Sequence, residues 1–224
     1  MIYWNQKKIL LRNIIESIKE NGVKSLLDIG AGDVSFAKSI AEHVDSYTAV
    51  EKNDDRVRRL QAESLETIKG VFPSIKVTGR YDMVLSSHSI PERIHLIVPF
   101  IEKAYRLLKP GGTLLAITFK GGKGDTFKLS KQLDGKRIIH DELLFKELLL
   151  QLEKFGKVKI VRKNSTIKSD NLTEILNIIL NAIGNKKGKI YKKQIKSILG
   201  KQFKKNSKYS FSFEHLFIFL KKKR

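Results

Sequence analysis

Helical and buried-strand patterns alternate along the first 120 residues of the chain. Residues 5–21 carry apolar side chains at helical spacing, and residues 25–30 (SLLDIG) form a short apolar run that ends in an acid and a glycine. Helices over 34–43, 54–69 and 94–108 then alternate with strands over 47–52, 75–77, 81–87 and, after a turn, 109–120. This alternation predicts an α/β sheet.

The pattern changes after residue 120, where the glycine-rich stretch GGKGDTF (121–127) predicts a surface loop. Beyond it we expect a helix over 141–156, a strand over 157–164, helices over 171–184 and 192–203, and a long final strand over 209–223. The predicted sheet has seven strands, mostly parallel with an antiparallel last strand, and helices on both faces. We expect the last strand to join the sheet as a hairpin-like partner at its edge.

Composition excludes several classes of protein. The 224 residues contain no Cys, which excludes a disulfide scaffold and any site built on a thiol. Apolar residues make up 41% of the chain, so it has the material for a core and is not a disordered chain. No apolar stretch approaches the roughly 20 residues of a membrane span, and the first residues lack the apolar region of a signal peptide. We therefore expect a cytoplasmic protein with no membrane partner.

Positive charge is concentrated in the last third of the chain. The formal net charge is +21, and residues 157–224 hold 19 Lys and Arg against three acids. Charge of one sign on one face attracts polyanions such as RNA. Seventeen of those 19 cations are Lys, whereas Arg is the residue that binds phosphates and bases bidentately. The composition is therefore compatible both with solvated surface lysines and with a phosphate-binding face.

Residues 26–40, LLDIGAGDVSFAKSI, indicate a ligand site at the end of the first predicted strand. Gly30 and Gly32 permit a tight turn and a close approach of the backbone to a ligand, and the helix that follows offers free N–H groups. Dinucleotide-binding enzymes use the same device with a third glycine, but Ser35 occupies that position here. Asp28 stands where their strand is normally apolar, which also counts against a dehydrogenase.

The segment Asp28-Ile29-Gly30-Ala31-Gly32 resembles the first motif of the class I S-adenosylmethionine-dependent methyltransferases. Glu51 matches the family's acid at the end of the next strand, and the turn Lys109-Pro110-Gly111-Gly112 matches the one before a later buried strand. The resemblance implies a Rossmann-like fold and S-adenosyl-L-methionine as cofactor, with Asp28 near its amino group and Glu51 at its ribose hydroxyls. The predicted cofactor-binding residues are Asp28, Gly30, Ala31, Gly32, Glu51, Lys52, Ser86 and Ser87.

The chain departs from the family at the expected adenine contact. The family often places an acid after the third strand, near the adenine amino group, whereas SIKVTGRYDMVL (74–85) is too short to provide such a loop. We interpret Asp82 as the acid that opens the fourth strand. The residues that contact adenine therefore stay unassigned.

The segment SSHSIPE (86–92) ends the fourth strand where cofactor and acceptor should meet. It lacks the Asn/Asp-Pro-Pro-aromatic run of base-amino methylases and the acid of a Lys-Asp-Lys-Glu ribose methylase, and no Cys is present for pyrimidine C5 methylation. His88 is the ionisable candidate for a catalytic base there; the alternative is a loop His bonded to the backbone. Tyr3 and Trp4 either fold over the cofactor pocket or anchor the terminus.

The resemblance implies methyl transfer to a nitrogen or oxygen nucleophile of a small molecule, and the C-terminal element order is loosely similar to the histamine methyltransferase type. The alternatives are an RNA-modifying methyltransferase and a non-catalytic cofactor-binding subunit. We expect one domain over 1–224, with the cofactor-binding core in 1–156 and a basic part in 157–224. The acceptor pocket is expected between 86–90 and the helices over 171–203, with Gly184 and 186–189 as a gate. No metal is expected, and the oligomeric state is left open.

Overall fold

The apolar runs of the sequence become the strands of one mixed sheet. The structure, a computed structural model, describes residues 3–119, 124–133, 135–183, 185–205 and 208–223. The strands in these ranges are β1 (Tyr3–Trp4), β2 (Ser25–Ile29), β3 (Ser46–Glu51), β4 (Glu66–Lys69), β5 (Tyr81–Ser87), β6 (Leu108–Thr118), β7 (Val158–Ser169), β8 (Lys204–Lys205) and β9 (Lys208–Lys221).

The strand order is β1-β7-β9-β6-β5-β2-β3-β4, with β8 paired to β9. Strands β2 to β6 are parallel, and β9 is antiparallel to both of its long neighbours, β6 and β7. Apart from the two-residue strands β1 and β8, the described part of the chain has seven strands, as predicted. The edge position expected for the last strand is wrong, because β9 lies between β6 and β7. Its buried residues occupy both faces, including Phe213 and Ile218, and such a strand needs neighbours on both sides.

Helices cover both faces of the sheet. They are α1 (Gln6–Glu20), α2 (Val34–Ala41), α3 (Asp54–Ala62), α4 (Ile97–Arg106) with a 3₁₀ turn before it (Ile94–Leu96), α5 (Asp125–Leu133), α6 (Gly135–Glu153), α7 (Leu172–Ile183) and α8 (Asn185–Gln202). Side chains of α1, α2 and α3 pack with Leu26 on one face, and side chains of α4 and α6 pack with Leu27 on the other. Neighbouring residues of β2 thus face opposite layers, as the alternation of a strand requires.

Several predicted boundaries differ from the observed ones. Helix α3 ends at Ala62, and Ser64 has a φ of +59°. The chain then enters the sheet as β4, so the strand after α3 lies over 66–69 and the one expected over 75–77 is wrong. The four residues of β4 are too few for their β-branched character to outweigh the helical pattern before them. The predicted loop over 121–127 lies partly outside the described residues, and its end forms the start of α5.

The C-terminal helices form a third apolar cluster beside the sheet. Ile175, Leu176 and Ile179 of α7 pack with Leu199 of α8 and Phe211 of β9. The apolar face of α7 is therefore core. Helices in the described ranges do not combine the length and apolar character that a membrane span requires.

The N-terminal residues are attached to the sheet. Tyr3 and Trp4 pair antiparallel with Lys168 and Ile167 of β7, and the Tyr3 side chain is 57% exposed. Asn5 strengthens this attachment, because its Oδ1 accepts the backbone N–H of Thr166 at 2.8 Å. The backbone of this segment therefore anchors the terminus to β7.

Asp82 fixes the ends of the central strands that lie away from the glycine turn. Its Oδ2 accepts the backbone N–H of Lys24 (3.1 Å), the backbone N–H of Ser25 (2.8 Å) and the Ser25 hydroxyl (2.8 Å). Its Oδ1 lies 3.0 Å from Lys109 Nζ at the start of β6. Partial burial would raise the pKa of this carboxyl, but the hydrogen bonds from Lys109 and Ser25 outweigh burial and lower it.

We predict that Asp82→Asn reduces the free energy of unfolding by about 1–3 kcal/mol at pH 7, because it removes charge-assisted hydrogen bonds between three strands. Since the folded pKa is lowered, this contribution is present above about pH 4 and is lost as the pH falls through the folded value. Urea unfolding at pH 7 and at acid pH measures the effect, with the exposed Asp45→Asn as control. Equal midpoints for Asp82→Asn and wild type at pH 7 would contradict the prediction.

Candidate active site

The glycine turn follows β2 and needs glycine at both positions. Gly30 has a φ of +79° and Gly32 one of +28°, in the left-handed region that favours glycine. The Gly30 N–H donates to the Val50 carbonyl at 2.7 Å, which holds the turn against the end of β3. A Cβ on Gly30 would lie 2.5 Å from Ser89 Oγ, so a side chain there would also push the loop after β5 away. The turn therefore joins the carboxyl ends of β2, β3 and β5.

The helix after the turn is capped by its own acid. Asp33 Oδ1 accepts the Phe36 N–H at 2.9 Å, which is a side-chain N-cap of α2. Lys7 of α1 lies over this cap, 3.2 Å from Asp33 Oδ1, and also bonds Ser35 Oγ. The position of a third glycine in dinucleotide enzymes is thus part of a polar cluster here.

Glu51 is the acid at the end of β3, and it is 4% exposed. Its Oε1 accepts the backbone N–H groups of Lys52 (2.8 Å) and Asn53 (2.9 Å), and its Oε2 accepts that of Gly32 (3.0 Å). Arg56 Nη1 lies 3.9 Å from Oε2. Two carboxylate oxygens offer about four acceptor sites, so the side chain retains capacity for a ligand.

Asp28 is buried beside a small cavity under the glycine turn. Its side chain is 2% exposed, and the Tyr47 hydroxyl donates to Oδ2 at 2.7 Å. Burial raises the pKa of Asp28 to about 7; the Tyr47 hydrogen bond opposes this shift and the charge of Glu51 adds to it. The cavity has a volume of about 330 Å³, and its walls include Asp28, Gly30 and Ala31. A cation in this cavity would restore the charged form of Asp28.

A larger cleft of about 1660 Å³ opens above the carboxyl ends of the strands. Gly30, Gly32, Glu51 and Lys52 line its first half, which we call the cofactor half. Ser87 lines both cavities. Ser86 does not: it is completely buried, points to the opposite side of β5 from Ser87, and lines neither cavity. Of the two serines predicted at the cofactor, strand alternation therefore brings only Ser87 to the cleft.

The loop after β4 was missed from the sequence and also lines the cofactor half. Gly70, Val71 and Phe72 lie in the cleft wall, and Val71 is 58% exposed. Residues 70–80 contain no acid, so this loop offers apolar surface where the family often has a carboxylate. This loop could not be recognised from the sequence, because β4, the strand before it, was predicted as the end of a helix.

The acceptor half, our term for the other half of the cleft, is walled by α5 and α6. Thr126 and Phe127 of α5 and Phe145 of α6 line it, together with Phe119 after β6. The helices over 171–203 were predicted to wall this pocket, but the described side chains of α7 and α8 do not line the cleft. Gly184 lies outside the described residues, and 186–189 belong to α8 rather than to a loop. The sequence did contain an indication of the observed wall, because residues that follow the carboxyl end of a parallel strand line the crevice, and Phe119 follows β6.

His88 stands between the two halves. It has a φ of +56°, and its backbone N–H donates to the Ile117 carbonyl at 2.8 Å. Its side chain is exposed to the cleft and stacks on Phe119 with ring centroids 4.0 Å apart. Packing against Phe119 removes part of the ring from water and lowers the pKa of His88, and His215 lowers it further. In the described residues, no group of three or more His, Asp and Glu side chains could hold a metal ion.

The chain is similar to methyltransferases in sequence and in structure. A family model described as a methyltransferase domain matches residues 3–163. The YcgJ protein of Bacillus subtilis has a TM-score of 0.66 at 15% identity, over 95% of this chain and 99% of that chain. The N-methyltransferase NodS of Bradyrhizobium japonicum WM9, in complex with S-adenosyl-L-homocysteine, has a TM-score of 0.56 at 10% identity, over 97% and 87%. Curated protein sequences give no match, and at these identities the structural likeness shows the fold.

We predict that Asp28→Asn stabilises the protein at pH 8, by on the order of 2–4 kcal/mol. The folded pKa is raised, so the folded state holds a proton up to about pH 7 that the unfolded chain releases near pH 4, and wild-type stability falls as the pH rises between these values. Thermal unfolding at pH 5 and pH 8 should show a wild-type loss that Asp28→Asn lacks. Glu20→Gln, an exposed change, is the control, and a parallel pH dependence of Asp28→Asn and wild type would contradict the prediction.

Proposed function

Because the chain belongs to the methyltransferase domain family, we propose that it transfers a methyl group from S-adenosyl-L-methionine to a nitrogen or oxygen nucleophile of a small molecule. Family membership carries the methyltransferase activity and its cofactor, and the acceptor class is our proposal. The observation that supports it is one continuous cleft of about 1660 Å³ that includes both Glu51 and the aromatic wall of Phe119, Phe127 and Phe145. Ligand pockets hold roughly 300–1,000 Å³, so this cleft has room for a cofactor and an acceptor together.

The residues of the cofactor half, together with Asp28 in the small cavity under the glycine turn, fit S-adenosyl-L-methionine. Asp28 is a buried carboxylate beside a cavity, and an ammonium group there would compensate its charge. Glu51 is oriented by three backbone donors and can accept ribose hydroxyls with its remaining lone pairs. Val71 and Phe72 offer apolar surface for a flat base. We propose these four residues, with the glycine turn, as the cofactor contacts.

Catalysis by this chain is chiefly a matter of placement. When bound, the cofactor supplies a methyl group on a sulfonium, which an aligned lone pair can accept. The aromatic side chains of the acceptor half exclude water and restrict the orientation of a small acceptor. His88 offers a ring nitrogen to a nucleophile held at the boundary between the two halves.

An RNA acceptor is the second candidate, favoured by the charge of α8. Lys192, Lys193 and Lys196 are exposed on this helix, and the chain has no acid between Glu174 and Glu214. These lysines do not line the cleft, so an RNA would have to reach from α8 to the acceptor half. The aromatic wall of the acceptor half favours a small molecule over this candidate.

We predict that Glu51→Gln weakens the binding of S-adenosyl-L-homocysteine by roughly ten- to hundredfold, because it removes a charged hydrogen-bond acceptor worth about 1.5–3 kcal/mol. Titration calorimetry measures the affinity. Glu63→Gln, an exposed acid beyond α3, is the matched control. Circular dichroism checks that both variants fold, and unchanged affinity in a folded Glu51→Gln would remove Glu51 from the site.

The acceptor class can be tested by transfer of a labelled methyl group to fractionated extract, with and without ribonuclease. We expect label in the small-molecule fraction, unaffected by ribonuclease. RNA binding should be weak and should not change in the triple variant Lys192→Gln, Lys193→Gln, Lys196→Gln relative to the control triple Lys19→Gln, Lys76→Gln, Lys146→Gln. Label that ribonuclease removes, together with strongly salt-dependent RNA binding that only the α8 triple abolishes, would instead favour RNA as the acceptor.

A further inference from the structure

A second histidine lies behind His88, and the proposed function does not use it. His215 of β9 is completely buried, and its Nδ1 lies 3.4 Å from His88 Nε2. Its other ring nitrogen, Nε2, lies 2.7 Å from Ser165 Oγ of β7, and Ser165 is also completely buried. A buried imidazole that bonds through both nitrogens has a defined orientation, and the direction of its two hydrogen bonds sets its tautomer. The three side chains form a row from the core to the cleft.

The strand register explains why this row ends at the cleft. Thr118, the last residue of β6, pairs with Leu216, so His215 is the first residue of β9 beyond the end of β6. Phe119 fills the adjacent space, with its ring centroid 4.0 Å from that of His88 and 4.8 Å from that of His215. His88 is thus held on one face by Phe119 and at one ring nitrogen by His215.

The other ring nitrogen of His88 is left for a ligand. Within the described ranges, His88 Nδ1 has no hydrogen-bond partner from the protein, while the side chain is exposed to the cleft. If His88 Nε2–H donates to His215 Nδ1, and His215 Nε2–H donates to Ser165 Oγ, then Nδ1 of His88 carries a lone pair. The reverse order would place an N–H there instead.

We propose that Ser165 and His215 are positioning residues, which hold His88 in the Nε2–H tautomer so that its Nδ1 accepts the proton of the methyl acceptor. This inference rests on the proposed methyl transfer. The lone pair of the nucleophile forms the new bond to carbon, the carbon–sulfur bond breaks with its electron pair kept on sulfur, and the proton of the nucleophile passes to His88 Nδ1. From there it leaves to water in the cleft, and the row returns to its starting state.

The electrostatics of the row fit a neutral base beside a cationic cofactor. Burial lowers the pKa of His215, and partial removal from water and the neighbouring ring lower the pKa of His88, so both rings are neutral at pH 7. A neutral base does not repel a cationic sulfonium nearby.

Nitrogen-15 NMR of the five imidazoles tests the tautomer without any acceptor. In the wild type we expect His88 with a protonated Nε2 and an unprotonated Nδ1 at pH 7. Ser165→Ala should give a mixture of His88 tautomers, because it removes the partner that fixes His215. The matched control is Ser169→Ala, a buried serine of the same strand that bonds Glu174 instead, and it should leave the His88 signals unchanged. A protonated Nδ1 in the wild type, or equal His88 signals in both serine variants, would overturn the proposal.

Two substitutions of His215 separate its contacts. His215→Asn keeps a polar atom near the position of Nδ1 and should preserve the His88 tautomer, whereas His215→Gln reaches only toward Ser165 and should not. If both variants unfold, the two serine variants decide. Calorimetry with S-adenosyl-L-homocysteine is measured in parallel. If the wild type does not bind it, the proposed function is refuted. If the wild type binds it but His88 shows a mixture of tautomers, only the proposal for Ser165 and His215 is refuted. With an acceptor in hand, Ser165→Ala should lower kcat about tenfold at unchanged KM for the cofactor.

Discussion

The carboxylate of Glu51 organises the cofactor half of the cleft. It accepts three backbone N–H groups from two different loops, the glycine turn after β2 and the chain leaving β3. Those donors sit at strand ends, where the sheet can no longer satisfy them. A buried charge is tolerated because the N–H dipoles and Arg56 surround it. The Glu51 side chain therefore sets the distance between the two loops, and this distance shapes the cofactor half of the cleft.

The sequence predicts best where local chemistry and the fold agree. Gly30 and Gly32 have positive φ, and Glu51 ends a buried strand. These features depend on neighbouring residues, so the local pattern and the resemblance of the segment Asp28-Ile29-Gly30-Ala31-Gly32 to a known motif were sufficient to locate the turn. The same reasoning located β5 and therefore the end of the strand that carries His88.

What the sequence missed depends on contacts between distant segments. The assignment of β4 failed because its pairing with β3, rather than its own pattern, makes it a strand. The acceptor wall was assigned to α7 and α8, but their apolar residues are buried against β9, and this burial can be seen only when the sheet is complete. His215 gave no signal at all, since its neighbours Ser165 and His88 come from two other strands.

The position of β9 also affects how the chain folds. Strand β6 ends at Thr118 and its neighbour in the sheet begins at Lys208, so their pairing closes a long loop. Until that pairing forms, β6 presents an unpaired apolar edge in the middle of the future sheet, a template for contacts with other chains. Pairings with such sequence separation slow folding. The pairing of β9 with β6 therefore competes with aggregation during folding, and the same pairing brings His215 to the cleft.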